Sequence, residues 1–336
     1  RFMRKILVSL AAAAIAAVSS QNVFAAPVCL TDNKYSQSLN LPVYEWVDRT
    51  KTRKGTIVAV HGLTLYARCW DQFAMRLAAR GYHVYSIDQR GFGAWMTQAS
   101  KYGGTNKIEL AQSRQDLLDL VTTLRQAHPK EKLFCLGESL GSNMILMLLE
   151  DHPELADGAI LGSPCYKTRM HPKPLHWAAD AAKELVRPNK PLNLEPYSAP
   201  YLSNDPAVSA ACNSDPMINR KMTPAELVKV DIMDDKAINE AKKLPAALPI
   251  LIVAGTQDAM FHSTDLPKEV EKWGSKDVSV NLLPGKGHLL MEHQAVNPQV
   301  AALVDRWLAQ QTLGGTLATA PAKPNARKST KRTSTK

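Results

Sequence analysis

The sequence predicts an α/β protein with a mostly parallel central sheet, helices on both faces and an inserted cap. Two observations carry the sheet. Short apolar runs near 56–60, 83–87, 132–137, 158–162, 249–254 and 278–283 read as buried strands, and helix-like stretches at 71–80, 109–127, 142–152 and 294–310 alternate with them. The third observation is an interruption: between Gly162 and Lys243 the alternation gives way to a proline-rich segment with no evident buried strand. Such a segment is best placed over the carboxyl ends of the strands, where open α/β sheets put their sites. This gives a core from 26–162 and 244–315 and a cap from 163–243, about 290 residues in all, enough for a core that needs no staples.

Taken from the N-terminus, Arg4 and Lys5 precede an apolar run from Ile6 to Val18, then Ser19, Ser20 and Val23-Phe24-Ala25-Ala26-Pro27. The run is too short to span a bilayer and reads as a secretory signal peptide over 1–25, cleaved after Ala25 or Ala26, so the chain is expected to be exported to the periplasm or medium. Cys29 lacks the small-residue pair expected before a lipidated cysteine. With five cysteines in an oxidising compartment at least one stays free or pairs outside the chain, and Cys135, inside a strand, is the expected buried thiol.

The strand at 56–60 runs into His61-Gly62-Leu63-Thr64 and the strand at 83–87 into Asp88-Gln89-Arg90-Gly91-Phe92-Gly93. The strand at 132–137 runs into Gly137-Glu138-Ser139-Leu140-Gly141, directly followed by the apolar run Met144 to Leu149. A strand that turns at once into a helix must bend at the serine, and the flanking glycines let neighbouring backbone close in, so Ser139 is exposed at a helix start as a nucleophile. Downstream, Asp258 follows the strand at 249–254 and His288 follows the strand at 278–283, which supplies an acid and a base in the order such serines use. Asp265, His262 and His293 compete for these roles but fall beyond the strand-end loops, in what reads as following helix. A tetrahedral intermediate needs two preorganised N–H donors, and Leu140, after the nucleophile, and Leu63, in the first loop, are the candidates for this oxyanion hole. His61, before Gly62, fits a loop-shaping role better than a catalytic one.

In these segments the chain resembles the monoacylglycerol lipase and lysophospholipase branch of the α/β-hydrolases, over most of residues 40 to 310. Val60-His61-Gly62, the strand and loop from Gly81 to Gly93, and the elbow Gly137 to Gly141 carry the likeness. More discriminating is the pair Tyr201-Leu202-Ser203-Asn204-Asp205-Pro206 and Cys212-Asn213-Ser214-Asp215-Pro216, similar to the paired D-P stretch of that family's cap. The resemblance implies the α/β-hydrolase fold, Ser139, Asp258 and His288 as triad, and Leu63 and Leu140 as oxyanion donors. The substrate it implies is an acyl-ester lipid, monoacylglycerol or lysophospholipid, with a small-ester carboxylesterase or serine peptidase of the same fold as the alternative and a non-catalytic binding protein as the distant one. One departure stands at the elbow: Glu138 and Leu140 flank the serine where His and Met are common, and Ser142 replaces a second glycine.

Within the cap, Leu175, Ala178, Ala182, Leu185 and Val186 recur at helical spacing, predicting an amphipathic helix over 175–187 that Pro188 ends. It packs on the domain beneath or forms a lid that touches membrane or lipid aggregates. The formal charge of +10 sits largely in the ends, three cations in 1–25 and six in a disordered, basic tail over 316–336, leaving the body near +1. No nucleic-acid partner is expected from such a body. No phosphate loop, C-x-x-C, H-E-x-x-H or dinucleotide fingerprint occurs, so neither cofactor nor metal is expected.

Overall fold

The computed structural model describes residues 26–169, 188–195, 201–293 and 296–313. The expected leader over 1–25, the cap helix over 175–187 and the basic tail over 316–336 lie outside the described residues.

Eight strands make one sheet: β1 (Val28–Leu30), β2 (Val43–Val47), β3 (Gly55–Val60), β4 (Tyr82–Ile87), β5 (Leu133–Glu138), β6 (Gly158–Gly162), β7 (Ile250–Gly255) and β8 (Val278–Leu283). Their spatial order is β1-β2-β4-β3-β5-β6-β7-β8. From β4 to β8 every pairing is parallel; β2 pairs antiparallel with both β1 and β4. The inner parallel strands β3, β5, β6 and β7 are buried on both sides, which is why they read as nearly unbroken apolar runs, whereas β8 at the edge is half-buried. Along β3, Val58 and Val60 enter one core while Ile57 and Ala59 enter the other. In β7, Ile250, Ile252 and Ala254 alternate in the same way with Leu251 and Val253.

Two strands escape the sequence reading. β1 has three residues, too few to show a period, and β2 mixes buried Val43, Trp46 and Val47 with half-buried Tyr44 and Glu45. The reason Glu45 is tolerated there lies across the sheet: it accepts the Tyr85 hydroxyl proton at 2.9 Å and lies 3.1 Å from His83 Nδ1.

The principal helices are α1 (Lys34–Leu39), α2 (Asp71–Ala78), α3 (Leu110–Ala127), α4 (Leu140–Asp151), α5 (Pro206–Ser214), α6 (Pro224–Glu240) and α7 (Pro298–Leu313). α4 is buried from Leu140 through Leu149, pressed between the sheet and α6 of the cap. α7 starts at Pro298 rather than near 294, because Asn297 Oδ1 accepts the Gln299 N–H at 2.9 Å and proline is suited to the first helical position. His293 therefore stands in a turn with φ 56°, not in the helix expected there.

Among the described residues of the 163–243 segment, expected as the cap, stand two helices that the proline-rich composition conceals. Asp205 caps α5 through the Ala207 N–H with Pro206 following, and Thr223 and Glu226 form a reciprocal capping box on α6 around Pro224. Prolines here start helices rather than break them. Leu192–Asn193 and Lys221–Met222 add a short antiparallel pair.

The order β4-β3-β5 sets the site. The chain leaves β3 for one flank and returns as β5 on the other, so Val60 and Gly137 are neighbours and the loops beyond them open into the same crevice.

Candidate active site

β5 ends at Glu138 and α4 begins at Leu140, leaving Ser139 alone at the bend with φ 55° and ψ −126°. A non-glycine residue held there costs about 1–3 kcal/mol, which the surroundings must offset. They do so with hydrogen bonds and with space. The Ser139 N–H donates to Gly162 O at 2.8 Å, and Ser142 Oγ donates to both Gly137 O and Gly162 O at 3.0 and 2.9 Å. A Cβ on Gly137 would lie 2.5 Å from the Gly141 carbonyl carbon, and one on Gly141 only 2.0 Å from Val60 O. Both glycines are thus required by close backbone approach. Ser142 is the polar residue that ties the elbow to β6.

The three predicted residues meet. His288 Nε2 lies 2.9 Å from Ser139 Oγ, and His288 Nδ1 lies 2.8 Å from Asp258 Oδ2, although Ser139 and Asp258 are separated by more than a hundred residues of sequence. Asp258 is held in turn by the N–H groups of Met260 and Phe261 on Oδ1 and the Ser263 hydroxyl on Oδ2, at 2.8, 3.0 and 2.9 Å. Burial alone would raise its pKa, but the His288 ring and these donors hold the carboxyl below its ordinary value. For His288 burial pulls downward, and the facing Asp258 carboxylate outweighs it and raises the ring's pKa. The backbone of the base loop is held as well: Ser163 Oγ donates to His288 O at 2.7 Å, and Asn204 takes the Gly287 N–H at 3.0 Å and donates to Gly285 O at 2.6 Å.

Leu140 opens α4, so its N–H has no intrahelical carbonyl one turn back to bind. In the first loop the Gly62 N–H is taken by Glu292, 3.1 Å from both carboxyl oxygens. His61 is fully buried with Nδ1 2.9 Å from Gly62 O and Nε2 accepting the Gln89 N–H at 3.0 Å. With both nitrogens occupied by backbone and its pKa lowered by burial to about 4, it shapes the loop as a neutral ring. His293 pairs with Asp215 at 3.1 Å, which also accepts the Tyr66 hydroxyl at 2.9 Å, so the second D-P stretch of the cap is tied to the core through it. The Asp265 N–H donates to His262 O, a local turn away from the Asp258–His288 pair.

Several residues of the site give no signal in the sequence. Cys165, just past β6, puts its sulfur 3.6 Å from Ser139 Oγ. Asn143, one turn into α4, accepts the Cys165 N–H at 3.1 Å and donates to Cys165 O at 3.1 Å and to Asp234 Oδ1 at 3.0 Å. Asp234 belongs to α6, so this cluster docks the cap beside the nucleophile. Burial, then the neighbouring Asp231 and Asp235, pushes its carboxyl up to about 8. Among the described residues no cluster of His, Cys, Asp and Glu could hold a metal ion, and none of the five cysteines is paired with another.

A serine, a histidine and an aspartate hydrogen-bonded in that order at the switch point of such a sheet define a serine hydrolase of the α/β-hydrolase fold. Residues 51–294 match the family described as serine aminopeptidase, S33, and the chain belongs to that family. It is 27% identical to a monoacylglycerol lipase of Mycolicibacterium smegmatis over 250 residues, 73% of this chain and 85% of the relative. It is 23% identical to the human monoglyceride lipase over 275 residues, 81% and 88% of the two chains. Among solved structures, the monoacylglycerol lipase of Paleococcus ferrophilus superposes with a TM-score of 0.64 at 21% identity, covering 81% of this chain and 99% of that one. A carboxyl esterase from Bacillus coagulans in complex with glycerol gives 0.66 at 18% identity, covering 86% and 99%. At these identities the two structures speak to the fold.

Proposed function

We propose that the protein hydrolyses monoacyl carboxylic esters, of monoacylglycerol or lysophospholipid type, through an acyl-enzyme on Ser139. The observation that carries the reading is the unbroken hydrogen-bond chain from Asp258 through His288 to Ser139. The relatives named as monoacylglycerol lipases supply the direction toward lipid esters.

In this mechanism Ser139 Oγ attacks the ester carbonyl as its proton passes to His288 Nε2, while Asp258 keeps the other nitrogen protonated and faces the imidazolium that forms. The charge that develops on the carbonyl oxygen is met by the N–H groups of Leu63 and Leu140. Collapse expels the alcohol with the proton from His288. Water then enters by the same path in reverse and frees the acid. The cap closes over the acyl chain and, in the exported protein, meets lipid aggregates. The amphipathic pattern that the sequence predicts over 175–187 suits one acyl chain better than a peptide, which ranks amide hydrolysis, the activity in the family's description, second.

The test is a profile across p-nitrophenyl esters, monoacylglycerols, lysophospholipids and amino-acid amides, with Ser139→Ala as control. Medium or long monoacyl esters should be the best substrates, and the variant should lose several orders of magnitude in kcat. Preference for amino-acid amides, or wild-type turnover by the variant, refutes the reading. Cell fractionation tests the export that the N-terminal pattern predicts.

A further inference from the structure

Two carboxyl groups lie fully buried beneath the catalytic loops and outside the proton path: Glu138, the residue before the nucleophile, and Glu292, four residues after the base. Glu138 Oε1 accepts the Leu290 N–H at 2.7 Å, and its Oε2 accepts those of Met291 and Glu292 at 3.2 and 2.9 Å. Three successive amides therefore close on one side chain and fix the segment that leaves His288. Glu292 passes the connection on, both its oxygens lying 3.1 Å from the Gly62 N. The junction is tight, since a Cβ on Gly62 would stand 3.1 Å from Glu292 Oε2 and 3.4 Å from Ser139 Cβ.

These contacts join three loops that the sheet itself does not join. The elbow follows β5, the base loop follows β8 and the oxyanion loop follows β3, and the ladder hydrogen bonds between strands end where the loops begin. We infer that Glu138 and Glu292 are positioning residues: Glu138 sets the base loop against the elbow, and Glu292 sets the oxyanion loop against both. The inference rests on Ser139 and His288 being the reacting groups. The Gly62 N–H is held by Glu292, and in the proposed mechanism the next amide, that of Leu63, meets the developing oxyanion, so a shift of that loop removes the donor from the transition state while leaving substrate binding largely intact.

The neighbours of Glu292 give the arrangement a pH signature. Burial, then the charge of Glu138, pushes the Glu292 carboxyl well above the ordinary range, against a single N–H donor from Gly62. In Glu138 burial also raises the pKa, opposed by its three N–H donors and by His288. The other groups facing Glu292 are Cys69, on the turn before α2, and Cys212, on α5, whose thiols burial keeps protonated, Cys212 up to about 12. His61, on the oxyanion loop itself, stays neutral. Glu292 thus holds its proton to higher pH than an ordinary carboxyl, and its ionisation as pH rises places a negative charge against the Gly62 N–H, one residue before the oxyanion donor of the proposed mechanism.

The experiment measures ester kcat and KM together with the rate at which a fluorophosphonate labels Ser139, from about pH 6 to 10, in the wild type, Glu292→Ala, Glu292→Gln and Glu138→Gln. Loss of one oxyanion donor costs about 10²–10³ in kcat elsewhere, so a misaimed one in Glu292→Ala should cost about 30-fold in kcat and in labelling rate with KM within about threefold. Glu292→Gln keeps an acceptor for the Gly62 N–H and should recover most of that loss, and, having no proton to lose, it should not show the alkaline decline of the wild type. Glu138→Gln turns an amide NH₂ toward N–H donors and should lower both rates. Wild-type labelling by Glu292→Ala, a Glu292→Gln variant as impaired as the alanine, or an unchanged alkaline limb in Glu292→Gln overturns the inference. If Glu292→Ala fails to fold, the Glu292→Gln profile against pH decides. Wild-type protein that is labelled but cleaves no ester refutes the proposed substrate while the labelling ratios still judge the positioning; wild-type protein that is not labelled refutes both.

Discussion

Asp258→Asn is the sharpest single perturbation of the site. The carboxylate receives four donors: the Met260 and Phe261 N–H groups on Oδ1, and the Ser263 hydroxyl and His288 Nδ1 on Oδ2. An asparagine has one acceptor oxygen and one donor nitrogen. Its oxygen is claimed by the two fixed backbone amides, so its NH₂ takes the place of Oδ2 and faces His288. The ring must then present an unprotonated Nδ1, which moves the proton to Nε2, and Nε2 points at Ser139 Oγ from 2.9 Å as a donor instead of an acceptor. General-base activation of the serine is lost with the fold unchanged. A wrong tautomer of this kind is expected to cost about 10⁴ in kcat, close to 5.5 kcal/mol of transition-state stabilisation at about 1.36 kcal/mol per decade. The pH profile adds a second readout. Asp258 raises the His288 pKa, so removing its charge should move the acid limb of the residual activity to lower pH. Steady-state hydrolysis of a p-nitrophenyl ester, with the melting temperature as a check on folding, measures both. A variant within tenfold of wild type, or one whose acid limb stays in place, would show that Asp258 is not the group orienting His288.

Three further outcomes are expected. Gly141→Ala places a Cβ 2.0 Å from Val60 O and 2.9 Å from His61 O, backbone atoms at and just past the end of a central strand; it should cost about 3 kcal/mol or more and lower Tm by about 5 °C, and an unchanged melting curve would refute the close approach. Asp234 is carried as a neutral acid up to about pH 8, whereas in the unfolded chain it ionises at ordinary carboxylate pH. Its raised folded pKa therefore withdraws stability as pH climbs from about 4 toward 8, so Asp234→Asn, which keeps an acceptor for Asn143, should match the wild type near pH 4 and melt higher at pH 7; equal melting at both pH values would contradict that. Finally, each acyl methylene buried under the cap contributes at most about 0.8 kcal/mol, roughly fourfold in kcat/KM, so specificity should climb with chain length until the space is filled. A flat series from acetyl upward points to the small-ester alternative.

How much of this was legible in the sequence depends on how local the signal is. The inner parallel strands show because burial on both faces turns them into apolar runs, and the half-buried edge strand β8 shows by its alternating valines and its leucines. The elbow shows because a strand-to-helix bend around one serine permits no side chain on Gly137 or Gly141, and Asp258 and His288 show because each stands just past a strand end. Periodicity was silent on β1 and β2, where a short edge mixes Tyr44 and Glu45 into the core pattern, and on α5 and α6, whose opening prolines disguise them as loop although Asp205-Pro206 and Thr223-Pro224 are helix starts. What the sequence by itself determined was therefore the fold class and the residue types that stand at the strand ends. What only the tertiary structure decided was which of them touch: that His293 turns to Asp215 and not to Ser139, that Cys165, Asn143 and Asp234 gather beside the nucleophile, and that Glu138 and Glu292 lock the loops from below. The physical reason is that these contacts join residues up to 230 positions apart, through loops brought together by the side-by-side placing of β3 and β5 at the switch point, which no local pattern of residues encodes.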